Sequence, residues 1–326
     1  MHNSNNTFGR KIRINRILLF ITGLIIINQI CNLIYTEVVL SQSLLYQGEE
    51  QFQQVKQDVT ILVMGDSHTE YSVNPTYMES AFNFSSSGEH YIQSFYKLRY
   101  YLEGEGLNFK TVVLPLDMHS FSGYRTDEII NNDYWRKYVD YFELAQEKEE
   151  FWTVISFRLE GELAYWHGAD ETKNFLSKKG KKLNGGFLTK KKSIRKKKPQ
   201  KIVNLAKSRV RSHLGKEIYF NEVLLKYFKR LLELVKKHEI NVVFIRYPVT
   251  REYFQAAKKY IPEEQYYSNL KAIIEDYFQN PAILDYHDLY WDQLNFFNDV
   301  DHLNMYGAED FSPILWQDLI DLGVTP

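Results

Sequence analysis

Two short stretches near opposite ends of the chain hold residue types that do chemistry together: Val63-Met64-Gly65-Asp66-Ser67-His68, and Asp299-Val300-Asp301-His302-Leu303-Asn304. A serine hydroxyl is a poor nucleophile until a base removes its proton, and the second stretch offers an imidazole with a carboxylate three residues upstream to orient it. Ser67 is therefore the candidate nucleophile, His302 the candidate base and Asp299 its orienting partner. Asp301 competes for that last role, but a residue adjacent to His302 in the chain does not easily reach its Nδ1, whereas one three back in a turn does. Asp66 and His68 flank the nucleophile and read as turn-stabilising and surface residues. His287, near Asp285 and Asp288, imitates a second dyad and reads instead as part of a hydrated strand end.

These residues need elements to position them. An apolar run over 59–64 predicts a buried strand, and the polar segment after it starts a helix, so Ser67 falls on a sharp strand-to-helix turn that exposes its hydroxyl. Further strands are predicted over 81–84, 111–114, 241–246 and 282–286, with helices over 94–103, 221–237 and 266–278 between them. A final helix runs from Met305 to about Leu319 with Asn304 as its N-cap. Alternating strands and helices argue for an α/β domain with a five-stranded parallel sheet covered on both faces. In such sheets the site lies at the carboxyl ends of the strands, where Ser67, Gly88, Asp117 and the 299–302 loop all fall.

The pairing of Gly65-Asp66-Ser67 with Asp299 and His302 resembles the SGNH/GDSL hydrolase superfamily, whose first block is Gly-Asp-Ser after the first strand and whose last is Asp-x-x-His before the final helix. The likeness runs from about Val59 to the C-terminus, with a large insertion in the middle. It implies a flavodoxin-like strand order and a Ser-His-Asp triad of Ser67, His302 and Asp299. Ala81-Phe82-Asn83-Phe84-Ser85-Ser86-Ser87-Gly88 is similar to the second block, which implies an oxyanion hole built from the N–H groups of Ser67 and Gly88. One such donor contributes roughly 3 to 4 kcal/mol to the transition state. The third block departs from the family. Pro115-Leu116-Asp117-Met118-His119-Ser120 stands where Gly-x-Asn-Asp is usual, so either His119 or Ser120 substitutes for the asparagine or the hole runs with two donors.

The activity the resemblance implies is that of a serine esterase or O-acyltransferase on an acylated cell-envelope or exported glycan, with hydrolysis and transfer both open. Anchored relatives with a weakened third block resemble proteins that work beside membrane-bound acyltransferases in acylating polysaccharides or teichoic acids. The rival reading is a catalytically idle domain that binds envelope polymer or scaffolds such an acyltransferase through Asn28 and Asn32. A third is a lipid esterase with an aromatic acyl groove. No cofactor is expected.

Composition bounds the rest. The 326 residues suit one α/β domain with an insertion and an anchor. The net charge of −1 conceals an asymmetry, because residues 178–201 hold twelve Lys or Arg and no acid, leaving −13 for the remainder. A single cysteine, Cys31, excludes an internal disulfide and a cysteine zinc site. The nine histidines have no metal-ligand spacing, so no metal is expected either.

Residues 17–35 carry no charge, and nineteen positions at 1.5 Å per residue reach about 28 Å, enough for a bilayer core. Arg10, Lys11, Arg13 and Arg16 precede them and Glu37 follows, which places residues 1–16 in the cytoplasm and everything after 35 outside. An uncleaved anchor is favoured over a signal peptide because no small-x-small cleavage site stands where one is needed. Asn28 and Asn32 share one helical face, either hydrated near the outer interface or bonded to a neighbouring helix. Residues 36–57 read as a stalk, and 58–326 as the catalytic domain.

The insertion, about 121–221, divides in two. Its first half is aromatic (Tyr134, Trp135, Tyr138, Tyr141, Phe142, Phe151, Trp152, Phe157, Tyr165, Trp166) and reads as a helical cap core, with a sugar-stacking or acyl wall as the sharper alternative. Its second half is the basic run through Gly185, Gly186 and Pro199, which reads as a mobile loop. Export argues against nucleic acid as its partner and for an anionic leaflet or polymer.

Overall fold

A computed structural model of the chain describes residues 4–125, 133–148, 151–161, 165, 169–176, 183–215 and 220–325. Seven strands occur among them: β1 (Ile61–Val63), β2 (Ala81–Asn83), β3 (Thr111–Pro115), β4 (Leu183–Asn184), β5 (Phe187–Leu188), β6 (Asn241–Arg246) and β7 (Ala282–Asp285). Five of them form one sheet in the order β2-β1-β3-β6-β7, with every pairing parallel. The register aligns Ile61 with both Ala81 and Thr111, so these strands start level and run in the same direction, and their exit loops share one edge. Ile61, Leu62, Val63, Val112, Val113 and Leu114 are fully buried, which is why these segments read as unbroken apolar runs rather than alternating ones.

The helices are α1 (Ser4–Val38), α2 (Leu44–Val55), α3 (Ser67–Ser72), α4 (Tyr91–Arg99), α5 (Tyr141–Lys148), α6 (Phe151–Gly161), α7 (Ala169–Leu176), α8 (Pro199–Leu214), α9 (Glu222–Lys237), α10 (Arg251–Ala257), α11 (Glu263–Glu275) and α12 (Met305–Asp321). Helix α9 starts where the Asn221 side chain accepts the N–H groups of Val223 and Leu224. It buries Leu224, Tyr227, Phe228, Leu231, Leu232, Leu234 and Val235, the stripe expected from 3.6-residue periodicity. Helix α12 starts at Met305, capped by Asn304, whose side chain accepts from Tyr306 and Gly307.

The segment Ile14–Gln42, which takes in α1 from Ile14 onward, is long and apolar enough to cross a membrane, and its large side chains such as Leu19 and Phe20 are exposed. Asn28 accepts a hydrogen bond from the Tyr165 hydroxyl of the insertion, so it is not simply hydrated.

Three expectations need correction. Residues 36–57 are not a stalk: α2 packs into the core, with Phe52 fully buried and stacked on Phe84 at 4.3 Å between ring centroids. The basic run is not a loose loop where it is described. Strands β4 and β5 make a hairpin whose Gly185 carbonyl accepts Asn83 N–H at 3.1 Å, and a Cβ on Gly186 would lie 1.6 Å from the Asn83 carbonyl oxygen. Beyond it, Ile194 is fully buried and its N–H donates to Phe297 O at 2.9 Å, while α8 follows directly from Pro199. The aromatic half is only partly a core, since Tyr134, Trp135, Tyr138 and Tyr141 are buried while Phe142, Phe151 and Trp152 are exposed, Trp152 by 81%. Trp166, the Phe157 side chain and residues 177–182 lie outside the described residues.

Candidate functional site

After β1 the chain turns through Met64, Gly65 and Asp66 into α3. Gly65 has φ of +146°, and a Cβ there would come 2.4 Å from Thr69 Oγ1 and 2.9 Å from the Pro115 ring, so only glycine lets β1 and β3 end this close together. Asp66 caps α3, its Oδ1 accepting His68 N–H at 2.9 Å. The turn therefore starts α3 at Ser67.

The other half of the site is a loop closed on itself. Phe297 bridges Leu303, Asn298 N–H donates to His302 O at 2.9 Å, and Asn304 N–H donates to Phe296 O at 2.8 Å. It sets His302 Nε2 2.9 Å from Ser67 Oγ, and His302 Nδ1 2.9 Å from Asp299 Oδ1. Asp299 is itself fixed, because Oδ1 also accepts the N–H groups of His302 and Asp301 and Oδ2 accepts Asn298 Nδ2. A carboxylate accepts only, so Nδ1 carries the proton and Nε2 presents its lone pair to the serine hydroxyl. That is the tautomer a general base needs. The Tyr71 ring stands edge-on to His302 at 5.0 Å and limits its rotation.

Gly88 sits in a loop held from below by a buried ion pair that the sequence reading missed. Ser86 N–H donates to Gly65 O at 3.0 Å, tying the Gly88 loop to the Ser67 turn. Glu89 accepts from Ser86 Oγ, Ser94 Oγ and Lys97 Nζ, the last at 2.6 Å, and Lys97 also donates to Phe84 O at 2.7 Å. Burial pushes the Glu89 carboxyl up, though Lys97 and the two serines pull against it. Gly88 has φ of +90°, and its N–H meets no backbone acceptor among the described residues; neither does the first-turn N–H of Ser67.

His119 and Ser120 are otherwise engaged. His119 Nε2 lies 2.7 Å from Asp66 Oδ2, and Ser120 Oγ accepts Asp117 N–H at 3.0 Å. Neither bonds Ser67 or Gly88. A small cavity lined by Gly65, Asp66, Glu89, His90, His119 and Ser120 adjoins this loop, and neither Ser67 nor His302 lines it.

His68 is not a surface residue: it is 1% exposed. Its Nδ1 is 3.1 Å from Asp117 Oδ2 and its Nε2 3.5 Å from Asp301 Oδ2, ion-pair contacts that are not aligned as hydrogen bonds. Burial alone would pull its pKa down, but Asp117, Asp301 and Asp66 outweigh it and hold the ring as an imidazolium. Asp301 is buried too, and although burial raises its pKa, His302, His68 and His213 bring it well below the usual carboxylate range. Arg209 Nε is 3.1 Å from Asp301. Asp301 is thus a node of a buried charge cluster, 3.6 Å from His302 Nδ1, while Asp299 makes the hydrogen bond.

The fold gathers histidines that are scattered in sequence, with ring centroids 5.1 Å from His302 to His68, 4.4 Å from His68 to His119 and 4.9 Å from His119 to His213. Two trios in the cluster, His68-Asp301-His302 and His68-Asp117-His119, bring potential ligand atoms within 4.8 Å of one another. The two His68 nitrogens face different carboxylates, so the trios call on opposite edges of one ring. His287 bonds Asp285, which also takes Arg246, at the end of β7. Its place is a strand-end ion cluster, apart from the Ser67 hydroxyl.

Neither protein-family models nor curated protein sequences give a match to this chain.

Proposed function

We propose that the chain is a membrane-anchored, extracytoplasmic serine esterase or O-acyltransferase of the SGNH type, acting on an acylated envelope or exported glycan. The observation that carries this reading is the row Ser67 Oγ, His302 Nε2, His302 Nδ1 and Asp299 Oδ1, with both links at 2.9 Å. The sheet order, second-first-third-fourth-fifth among the main strands, is that of flavodoxin-like doubly wound folds and supports it.

In the reaction, His302 Nε2 takes the Ser67 proton as Oγ bonds to the acyl carbonyl carbon, and the carbonyl oxygen becomes an oxyanion facing the Ser67 and Gly88 N–H groups. The bond to the leaving alkoxide breaks as His302 returns the proton to it. Water or a sugar hydroxyl then attacks the ester on Ser67, His302 takes its proton, and Ser67 is regenerated.

Labelling the full chain with a fluorophosphonate probe and locating the adduct by mass spectrometry tests the reading. Modification of Ser67 alone supports it; no adduct in a folded protein rejects it. Protease added to spheroplasts tests the topology, which requires digestion of everything after Tyr35.

A second reading has one observation in its favour. His119 is tied to Asp66 and no asparagine stands in the third block, so an idle domain that binds envelope polymer, or scaffolds a membrane-bound acyltransferase, fits an oxyanion hole of two donors. Unlabelled Ser67 together with retained polymer binding would favour it.

A further inference from the structure

The cations of residues 190–198 are docked against the candidate site rather than free of it. Lys190 O accepts Met305 N–H at 2.7 Å, Lys192 O accepts Asn304 Nδ2 at 3.2 Å, and Ile194 N–H donates to Phe297 O at 2.9 Å. Those three partners bracket the loop that carries Asp299 and His302. Buried Ile194 pins the segment, and the side chains around it turn outward: Lys191, Lys192, Arg195, Lys196, Lys197 and Lys198 are all exposed. No ion pair engages these six among the described residues, although the rest of the chain is net acidic.

Two more cations continue the series to the nucleophile. Lys190 Nζ lies 4.6 Å from the centroid of Tyr71, whose ring touches His302. Arg209 stands on the other side, 3.9 Å from Asp299 and 3.1 Å from Asp301. Partly extended backbone and one 3₁₀ turn (Ile194–Lys196) spread the cations over on the order of 20 Å. That is longer than any single small anion and suits a chain carrying anions at intervals.

We infer that this segment is a binding track for a polyanionic chain, bearing phosphate or carboxylate groups, which it leads past Ser67. The inference rests on the proposed esterase or acyltransferase reading and names its substrate class: the glycan or polymer that gives or receives the acyl group is itself anionic. A membrane leaflet would be met by cations anywhere on the membrane-facing side. It gives no reason for the series to begin at the nucleophile or for its backbone to be clamped to the His302 loop.

The test uses the full chain in neutral detergent with fluorescent polyphosphate, polygalacturonate and dextran, and with vesicles of phosphatidylglycerol or phosphatidylcholine. The variant replaces the six exposed cations with Gln, and a companion replaces the five lysines with Arg to keep the charge. The wild type and the Arg companion should bind both polyanions and not dextran. Their affinity should fall by on the order of four decades per decade of salt for six contacts, and the Gln variant should bind at least about a hundredfold more weakly. Bound polyanion should also slow fluorophosphonate labelling of Ser67, read as each protein's rate with polymer over its rate without.

Equal binding by wild type and Gln variant overturns the track, as does binding to phosphatidylglycerol vesicles with no binding to either polymer. Polymer binding that leaves Ser67 labelling unslowed overturns its placement beside the site. A wild type that binds polyanion through the segment but never labels at Ser67 rejects the catalytic reading and leaves the track as a polymer-binding surface.

Discussion

His68 Nε2 faces Asp301 Oδ2 across 3.5 Å inside a fully buried ion pair, and its ring lies 5.1 Å from that of His302. The candidate base therefore rests on a charged floor. His68, Asp117, Asp301 and Arg209 fix the loop edges that carry it, and a buried pair of this kind is sensitive to losing either partner.

The first prediction concerns that imidazolium. Its folded pKa is raised above 6.5, so the folded chain holds the proton more tightly than the unfolded one. The stability it contributes is complete below about pH 6.5 and declines as pH rises through the folded value. Urea midpoints of the wild type in detergent should fall on the alkaline side of neutrality. His68→Gln should remove that fall and cost roughly 3 to 5 kcal/mol near neutral pH, by leaving Asp117 and Asp301 without their cation. Midpoints in the wild type that stay flat above neutrality would count against a buried imidazolium.

Lys97→Met leaves Glu89 buried without a counter-charge under the Gly88 loop. A loss of about 3 to 5 kcal/mol is expected. The double variant Lys97→Met/Glu89→Gln should recover much of it, since removing both charges leaves no unpaired ion. Thermal midpoints of the four proteins close the cycle, and additive losses would refute the coupling.

Glu49, in α2, is predicted to govern the acid limb of stability. Burial raises its pKa, but the charge and hydrogen bond of Lys137 and the hydroxyls of Tyr101 and Tyr138 outweigh this and lower it from 4.5 to about 2. Its contribution is therefore present above pH 4.5 and lost as pH falls toward 2, and it amounts to at most about 3 kcal/mol. Glu49→Gln should lower the midpoint at neutral pH and flatten its fall in acid. An unchanged acid limb would dismiss the role.

The central strands β1 and β3 are legible because they are buried on both faces and leave unbroken apolar runs, whereas β7 at the sheet edge is only half-buried. The cap at Asn304 is legible because a local hydrogen bond has a local signature, and Asn221 caps its helix by the same means. Glu49 is not, since its partners Tyr101, Tyr134, Tyr138 and Lys137 arrive from 52 to 89 positions away and a Gln- and Glu-rich helix looks solvated. The docked basic segment is illegible for another reason: it is held by main-chain bonds from Lys190 and Ile194, which leave no mark on composition. His68, His119, His213 and His302 become neighbours only because the strand ends and the returning α8 meet at one edge of the sheet.

The last prediction separates the two aspartates. Once Ser67→Ala removes the attacking oxygen, His302 has no proton to take, so adding His302→Ala should cost little further activity although either change alone costs several orders of magnitude. Asp299→Asn preserves shape and the loop, yet its amide favours the wrong imidazole tautomer, so turnover of p-nitrophenyl acetate should collapse while the thermal midpoint barely moves. Asp301→Asn should do the reverse in part. It leaves His68 and Arg209 facing a neutral amide in a site that is 1% exposed, so stability should fall by about 3 kcal/mol and the midpoint with it, while Asp299 keeps the tautomer and the surviving folded enzyme retains most of its turnover. Activity per folded molecule, measured beside circular dichroism for the wild type and all five variants, tells these apart: if Asp301→Asn lost turnover without losing stability, and Asp299→Asn lost neither, the orienting role would belong to Asp301.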